Sequence, residues 1–129
     1  MALPWREPSW PPVNPESKAF FDAAREGKLL LAKCSACKAL HYYPRAVCPF
    51  CASEKIQWVE AKGKGTLYSY SVMRRVAEPY AIAYVTLDEG VTMLTNMVDC
   101  DLDRLRIGDA VRLVFKAAEG GEMIPMFTK

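Results

Sequence analysis

The sequence carries a single histidine, His41, and shows no paired carboxylates, nucleophile elbow or phosphate-binding glycine loop, so no catalytic apparatus is visible in it. No apolar run reaches bilayer-spanning length, which excludes a membrane-spanning helix. The opening Met1 to Arg6 lacks a charged segment followed by an apolar one, so a cytoplasmic protein without a secretory leader is the expectation. The cysteines number five, an odd count that speaks against a closed disulfide framework. Four of them fall in two C-x-x-C pairs. The fifth, Cys100, stands between Asp99 and Asp101, whose charges disfavour a thiolate, and reads as a small buried thiol. There is no internal repeat and no low-complexity tract.

What is present is enough for one domain or two very small ones, with 51% hydrophobic residues among 129. The net charge of +2 hides an asymmetry. From Lys28 to Arg75 nine basic residues face two acids, a net of +7, and the rest of the chain carries −5. Such a split suits an anionic ligand or a solvated basic surface.

Cys34, Cys37, Cys48 and Cys51 form the pattern C-x2-C-x10-C-x2-C. Two intervening residues let both sulfurs of a pair converge on one ion, and ten residues between pairs allow a hairpin to join them. Four thiolates close a tetrahedral shell with no open position, which makes the site structural and couples metal binding to folding. Zinc is the expected metal. Iron is its competitor, because Cys48-Pro49-Phe50-Cys51 has the form of a rubredoxin knuckle, although Lys38 and Ala52 stand where such knuckles carry glycine. His41 is surplus to this set and is expected to be a hydrogen-bonded strand histidine.

Residues 1–27 read as a proline-rich arm bearing Trp5 and Trp10, then a helix over 14–27 with Asn14 as cap, Pro15 at the first turn and Gly27 as stop. Residues 28–62 read as a zinc ribbon with strands at 28–33, 40–44 and 56–60. Residues 63–129 contain five strand-like runs at 65–75, 80–88, 91–98, 110–116 and 122–128, separated by turn signals. A helical turn capped by Asp101 or Asp99 is expected between the third and fourth runs. In the first run, alternation places Thr66, Tyr68, Tyr70 and Val72 on one face. Five strands with a helical element after the third predict an OB-fold barrel, with Gly63 and Gly65 permitting its sharp coil. The expected fold class is therefore mainly β: an N-terminal helix, a zinc ribbon and a five-stranded OB-fold barrel.

The combination resembles the OB-fold, acyl-CoA-associated proteins with a rubredoxin-type zinc ribbon, the domain-of-unknown-function-35 group. Its carriers are the two cysteine pairs, Tyr42-Tyr43-Pro44-Arg45, Trp58, Gly63 to Ser69 and Gly108 to Val111. The resemblance implies a non-catalytic accessory subunit of a thiolase-like or acyltransferase complex, a hetero-oligomer in which the partner holds the catalytic residues. It implies structural zinc and coenzyme A or acyl-CoA at the interface. Tyr43, Arg45, Lys64 and Arg74 are the candidate coenzyme A contacts. Trp5, Trp10, Phe20 and Phe21 are the candidate partner-facing aromatics. The alternative is a ribbon/OB protein that binds single-stranded nucleic acid through a basic, aromatic face.

Overall fold

The computed structural model describes residues 14–129. Trp5 and Trp10 lie outside the described residues. The chain begins with a turn in which Asn14 Oδ1 accepts from the Ser17 N–H at 3.0 Å and Ser17 Oγ accepts from the Asn14 N–H at 3.1 Å. Those bonds close a turn ahead of the helix: Ser17, not the expected Asn14, is the N-cap, it makes no side-chain cap bond, and the regular helix α1 is shorter than expected, Lys18–Arg25. It stops where Gly27 adopts φ +78°, with the Gly27 and Lys28 N–H groups bonded to Ala24 and Ala23 carbonyls. Those two bonds satisfy end carbonyls that would otherwise lack partners.

The ribbon is a three-stranded antiparallel sheet of β1 (Leu30–Cys34), β2 (Leu40–His41) and β3 (Ile56–Glu60), in the order β2-β1-β3. The second strand is two residues long rather than five. Tyr42 leaves the ladder to pack against the core, and Pro44 has no N–H to extend it.

The barrel comprises β4 (Lys64–Met73), β5 (Tyr80–Leu87), β6 (Thr92–Met97), β7 (Ala110–Ala117) and β8 (Met123–Thr128). It closes in the order β4-β5-β6-β8-β7, with β6 and β8 parallel at Met97 and Phe127. The five runs, their order and the 3-10 turn Leu102–Arg104 capped by Asp101 match the expected OB plan. Gly63 and Gly65 serve different needs. Gly63 takes φ +78°, whereas a Cβ on Gly65 would sit 2.6 Å from the Thr86 carbonyl oxygen where β4 and β5 approach.

One expectation about β4 is corrected. A bulge between Leu67 and Ser69 shifts the register against β5, so Leu67 pairs with Val85 but Ser69 pairs with Tyr84. Beyond it the faces exchange: Tyr70 and Val72 lie opposite the buried Ala83 and Ala81, while Ser69 and Ser71 lie opposite the exposed Tyr84 and Ile82. An extra residue reverses the alternation downstream of itself. Tyr70 is held on this course by its hydroxyl, which donates to the Leu105 carbonyl at 2.7 Å.

Ribbon, helix and barrel share one core. Phe20 and Phe21 of α1, Leu29, Leu31 and Ala61 pack in a single cluster with Leu67, Val85, Met97 and Phe127. Phe20 and Phe21 are 1% and 2% exposed, which corrects their candidacy as partner-facing aromatics. Burying each is worth about 1.5–3 kcal/mol to this chain's own fold, and neither presents a surface to another protein. Arg25 fastens the helix to the barrel through Glu122, at 2.5 Å. Among the described residues no helix is long and apolar enough to cross a membrane.

Candidate metal centre

The two cysteine pairs fold into matching knuckles. In the first, the Lys38 N–H bonds the Cys34 carbonyl (2.9 Å) and the Cys34 N–H bonds the Ala39 carbonyl (3.0 Å). In the second, the Ala52 N–H bonds the Cys48 carbonyl (2.9 Å) and the Cys48 N–H bonds the Ser53 carbonyl (2.8 Å). The same five-residue loop is thus used twice. Each loop ends in a left-handed residue, Lys38 at φ +66° and Ala52 at φ +64°, the positions where glycine is the low-cost residue. Backbone N–H groups also point at sulfur, from Cys37 to Cys34 Sγ (3.5 Å) and from Phe50 to Cys48 Sγ (3.4 Å).

The four sulfurs lie within 4.8 Å of one another, with Cys34–Cys51 at 3.5 Å and Cys37–Cys48 at 3.7 Å. Four sulfurs bound tetrahedrally at about 2.3 Å from one ion stand roughly 3.8 Å apart. The arrangement therefore fits one four-coordinate ion with only slight adjustment. Cys34 and Cys48 are buried and Cys37 and Cys51 are exposed, so each knuckle offers one inner and one outer ligand. Backbone N–H groups of Cys37 and Ala36 draw the Cys34 thiol down to about 6, whereas its close neighbour Cys51 is pushed up to about 12 by the surrounding sulfurs, so the two titrate as a pair that shares one proton. Cys100 is buried, and its burial pushes the thiol up, as an inert core thiol requires.

His41 differs from expectation. It is 5% exposed, and neither ring nitrogen has a hydrogen-bond partner among the described residues. Burial, reinforced by the nearby Arg45 charge, holds its pKa below the usual value. The unfolded chain, with an ordinary pKa of about 6.5, then takes up the proton first as pH falls. His41's contribution to stability is intact above about pH 6.5 and declines below it. His41→Leu removes both this dependence and an unpaired buried N–H, which costs about 1–3 kcal/mol. Thermal unfolding in zinc-saturated buffer should give the variant the higher midpoint at pH 7 and a shallower decline from pH 7 to 5. Parallel declines would show that His41 does not titrate with unfolding.

The four candidate coenzyme A contacts are not brought to one place. Tyr43 is 39% exposed, with its ring 5.7 Å from Phe20 and 5.5 Å from Tyr42. Arg45 is exposed on the segment that precedes the second knuckle and forms no ion pair among the described residues. Lys64 begins β4, opposite Arg112 of β7. Arg74 follows the other end of β4, roughly 30 Å along the strand, and its guanidinium is paired with the Asp103 carboxylate. Sequence reasoning also missed the outer face of β4–β6, because the β4 bulge that creates it leaves no mark in a single strand's alternation.

Two family profiles match. The ChsH2 rubredoxin-like zinc ribbon domain covers residues 21–57, and the ChsH2 C-terminal OB-fold domain covers residues 58–116. The DUF35 domain-containing scaffold protein of Methanothermobacter thermautotrophicus is 37% identical over 99 residues, 70% of this chain and 74% of the relative. The probable enoyl-CoA hydratase alpha subunit of Thermomonospora curvata is 35% identical over 122 residues, 91% of this chain but only 38% of the relative's length. Against a chain of the Ltp2–ChsH2(DUF35) aldolase the TM-score is 0.82 at 35% identity, over 92% of this chain and 98% of that one. A DUF35 protein from Sulfolobus solfataricus shares the fold at TM-score 0.62 and 22% identity, over 79% of each chain. With its cysteine knuckles set for a zinc ion and its closed five-stranded barrel, this chain belongs to the DUF35 family of ChsH2-type zinc-ribbon and OB-fold proteins.

Proposed function

We propose that this chain is the non-catalytic accessory subunit of an acyl-CoA-processing complex of thiolase or acyltransferase type. In it the chain scaffolds the larger subunit and contributes to the coenzyme A channel. The observation that carries the reading is the closed four-thiolate site. A metal with no open coordination position stiffens the chain and does not act on substrate. The naming of relatives as DUF35 scaffold proteins, and the likeness to a chain of the Ltp2–ChsH2(DUF35) aldolase, support it. The enoyl-CoA hydratase name of the Thermomonospora relative supports the acyl-CoA link.

Within this reading the ribbon segment supplies the coenzyme contact. Arg45 is an exposed guanidinium suited to a phosphate, next to the half-exposed Tyr43. Tyr43 is already packed on Phe20, so its part is to brace the segment that carries Arg45. Arg74, engaged with Asp103, is the weakest of the four candidates. The nucleic-acid alternative is less favoured, because the Tyr70 hydroxyl is tied to the Leu105 carbonyl and no cation lies between Thr66 and Met73.

The test is reconstitution with the thiolase-type subunit encoded in the same organism. Thioester C–C bond cleavage or formation should require both chains. Arg45→Ala should raise the KM for acyl-CoA about tenfold, the worth of one charge-assisted phosphate contact, without changing assembly. A chain that stays monomeric beside that subunit would overturn the proposal.

A further inference from the structure

The outer face of β4, β5 and β6 is a feature that the zinc site leaves unexplained. The bulge at Tyr68 puts Ser69 and Ser71 on this face, beside Tyr84 and Ile82, and Tyr84 in turn lies opposite Leu94. Ile82, Tyr84 and Leu94 are 45%, 48% and 52% exposed. The small serines between these large side chains leave a shallow groove of about 150 Å³. Nothing described in this chain covers it, since α1 packs against β8 and β1.

The face is also uncharged. No acidic or basic residue occurs from Thr66 to Met73, from Tyr80 to Thr86 or from Thr92 to Asn96, in a chain that is 25% charged. By contrast, neighbouring β7 carries Arg112 and Lys116. Depletion of charge around exposed tyrosine and aliphatic side chains distinguishes the centre of a protein interface from ordinary surface. Such a face repels no neutral apolar surface but offers nothing to a phosphate backbone, which needs cations. Three strands at about 4.8 Å spacing and eight residues at about 3.3 Å give roughly 350 Å². A stable interface needs about 800 Å² from each partner, so a second copy docked here alone would bury too little. The occupant must be a larger protein whose contact extends beyond this face.

We propose that the β4–β6 face, centred on Tyr84, is the seat of the catalytic subunit, which presents to it an uncharged apolar surface. This rests on the accessory-subunit reading above. Tyr84 is the anchor, flanked by Ile82 and Leu94, and the groove beside it receives a side chain of the partner.

The test uses the full zinc-loaded chain and the same thiolase-type subunit, with affinity measured by titration calorimetry and sedimentation velocity. Tyr84→Lys and Leu94→Lys each place a charge at the centre of the face and should weaken binding about 100-fold or more. Ala117→Lys, at an exposed position of β7, should leave binding within about threefold. The milder Tyr84→Ser should cost about tenfold. All three positions are exposed, so zinc content and melting midpoint should match wild type. If wild type binds the subunit and Tyr84→Lys binds it equally well, the face assignment falls and the accessory-subunit reading stands. If wild type does not bind it, both fall. If the wild-type chain self-associates and Tyr84→Lys abolishes this, the face belongs to a second copy and the proposal is overturned. Retention on single-stranded DNA that Tyr84→Lys alters would overturn it as well.

Discussion

Cys34→Ser will lose its zinc. Serine is a poor ligand for this ion, and Cys34 supplies one of the two buried sulfurs of the set. Structural zinc sites in small ribbons carry about 10–16 kcal/mol of binding energy that is also folding energy. Losing one thiolate should weaken zinc affinity by at least about a thousandfold, and metal analysis after dialysis should read near zero. Amide exchange should then speed up at Lys38, Cys48 and Ala52, whose N–H groups close the two knuckles. The effect does not stop at residue 57. Cys34 ends β1, and β1 delivers Leu31 to the core shared with Leu67 and Phe127, so the melting midpoint of the whole chain should fall. The barrel keeps its own ladder and should still unfold in a cooperative step. Knuckle amides that stay protected in the metal-free variant would mean that the backbone bonds alone hold the loops.

The parts of this fold that follow from local chemistry were legible in the sequence. The cysteine spacing specifies a tetrahedral site because only nearby residues have to cooperate. The left-handed positions at Lys38 and Ala52 could be read from the place of glycine in such knuckles. The five barrel strands showed through their turn signals, and the capping aspartate of the 3-10 turn through its position before Leu102. What failed depended on partners distant in sequence. The β4 bulge is a relation between Leu67, Ser69 and β5, so β4 taken alone gives the wrong face to Tyr70. Phe20 and Phe21 have the composition of an interface, and only the approach of Tyr42 and β8 makes them core. His41 was expected to find a partner because buried imidazoles usually do, and that cannot be checked before the surrounding residues are placed. Lys64 and Arg74 are ten positions apart in sequence, and the extended strand between them separates what a turn would have joined.

Phe20→Ala separates the two meanings of an N-terminal aromatic. Phe20 is 1% exposed and packs edge-on to Phe21 at 5.2 Å, with Tyr42 at 5.8 Å and Tyr43 at 5.7 Å. Truncation should open a cavity among these rings and cost about 3–5 kcal/mol, a large share of the 5–15 kcal/mol that holds a domain of this size. The melting midpoint of the isolated chain should drop by roughly 15 °C. Phe20→Leu, which refills most of the space, should recover more than half of the loss. The same truncation frees the Tyr42–Tyr43 segment, so it should also blur the position of Arg45 and weaken any ligand held there. The order of effects is the deciding point. A core residue lowers the midpoint with no partner present, whereas a partner-facing residue weakens assembly and leaves the isolated chain as stable as before. An unchanged midpoint for Phe20→Ala would restore the interface role that its burial removes, and would place the docking surface on α1 rather than on the β4–β6 face.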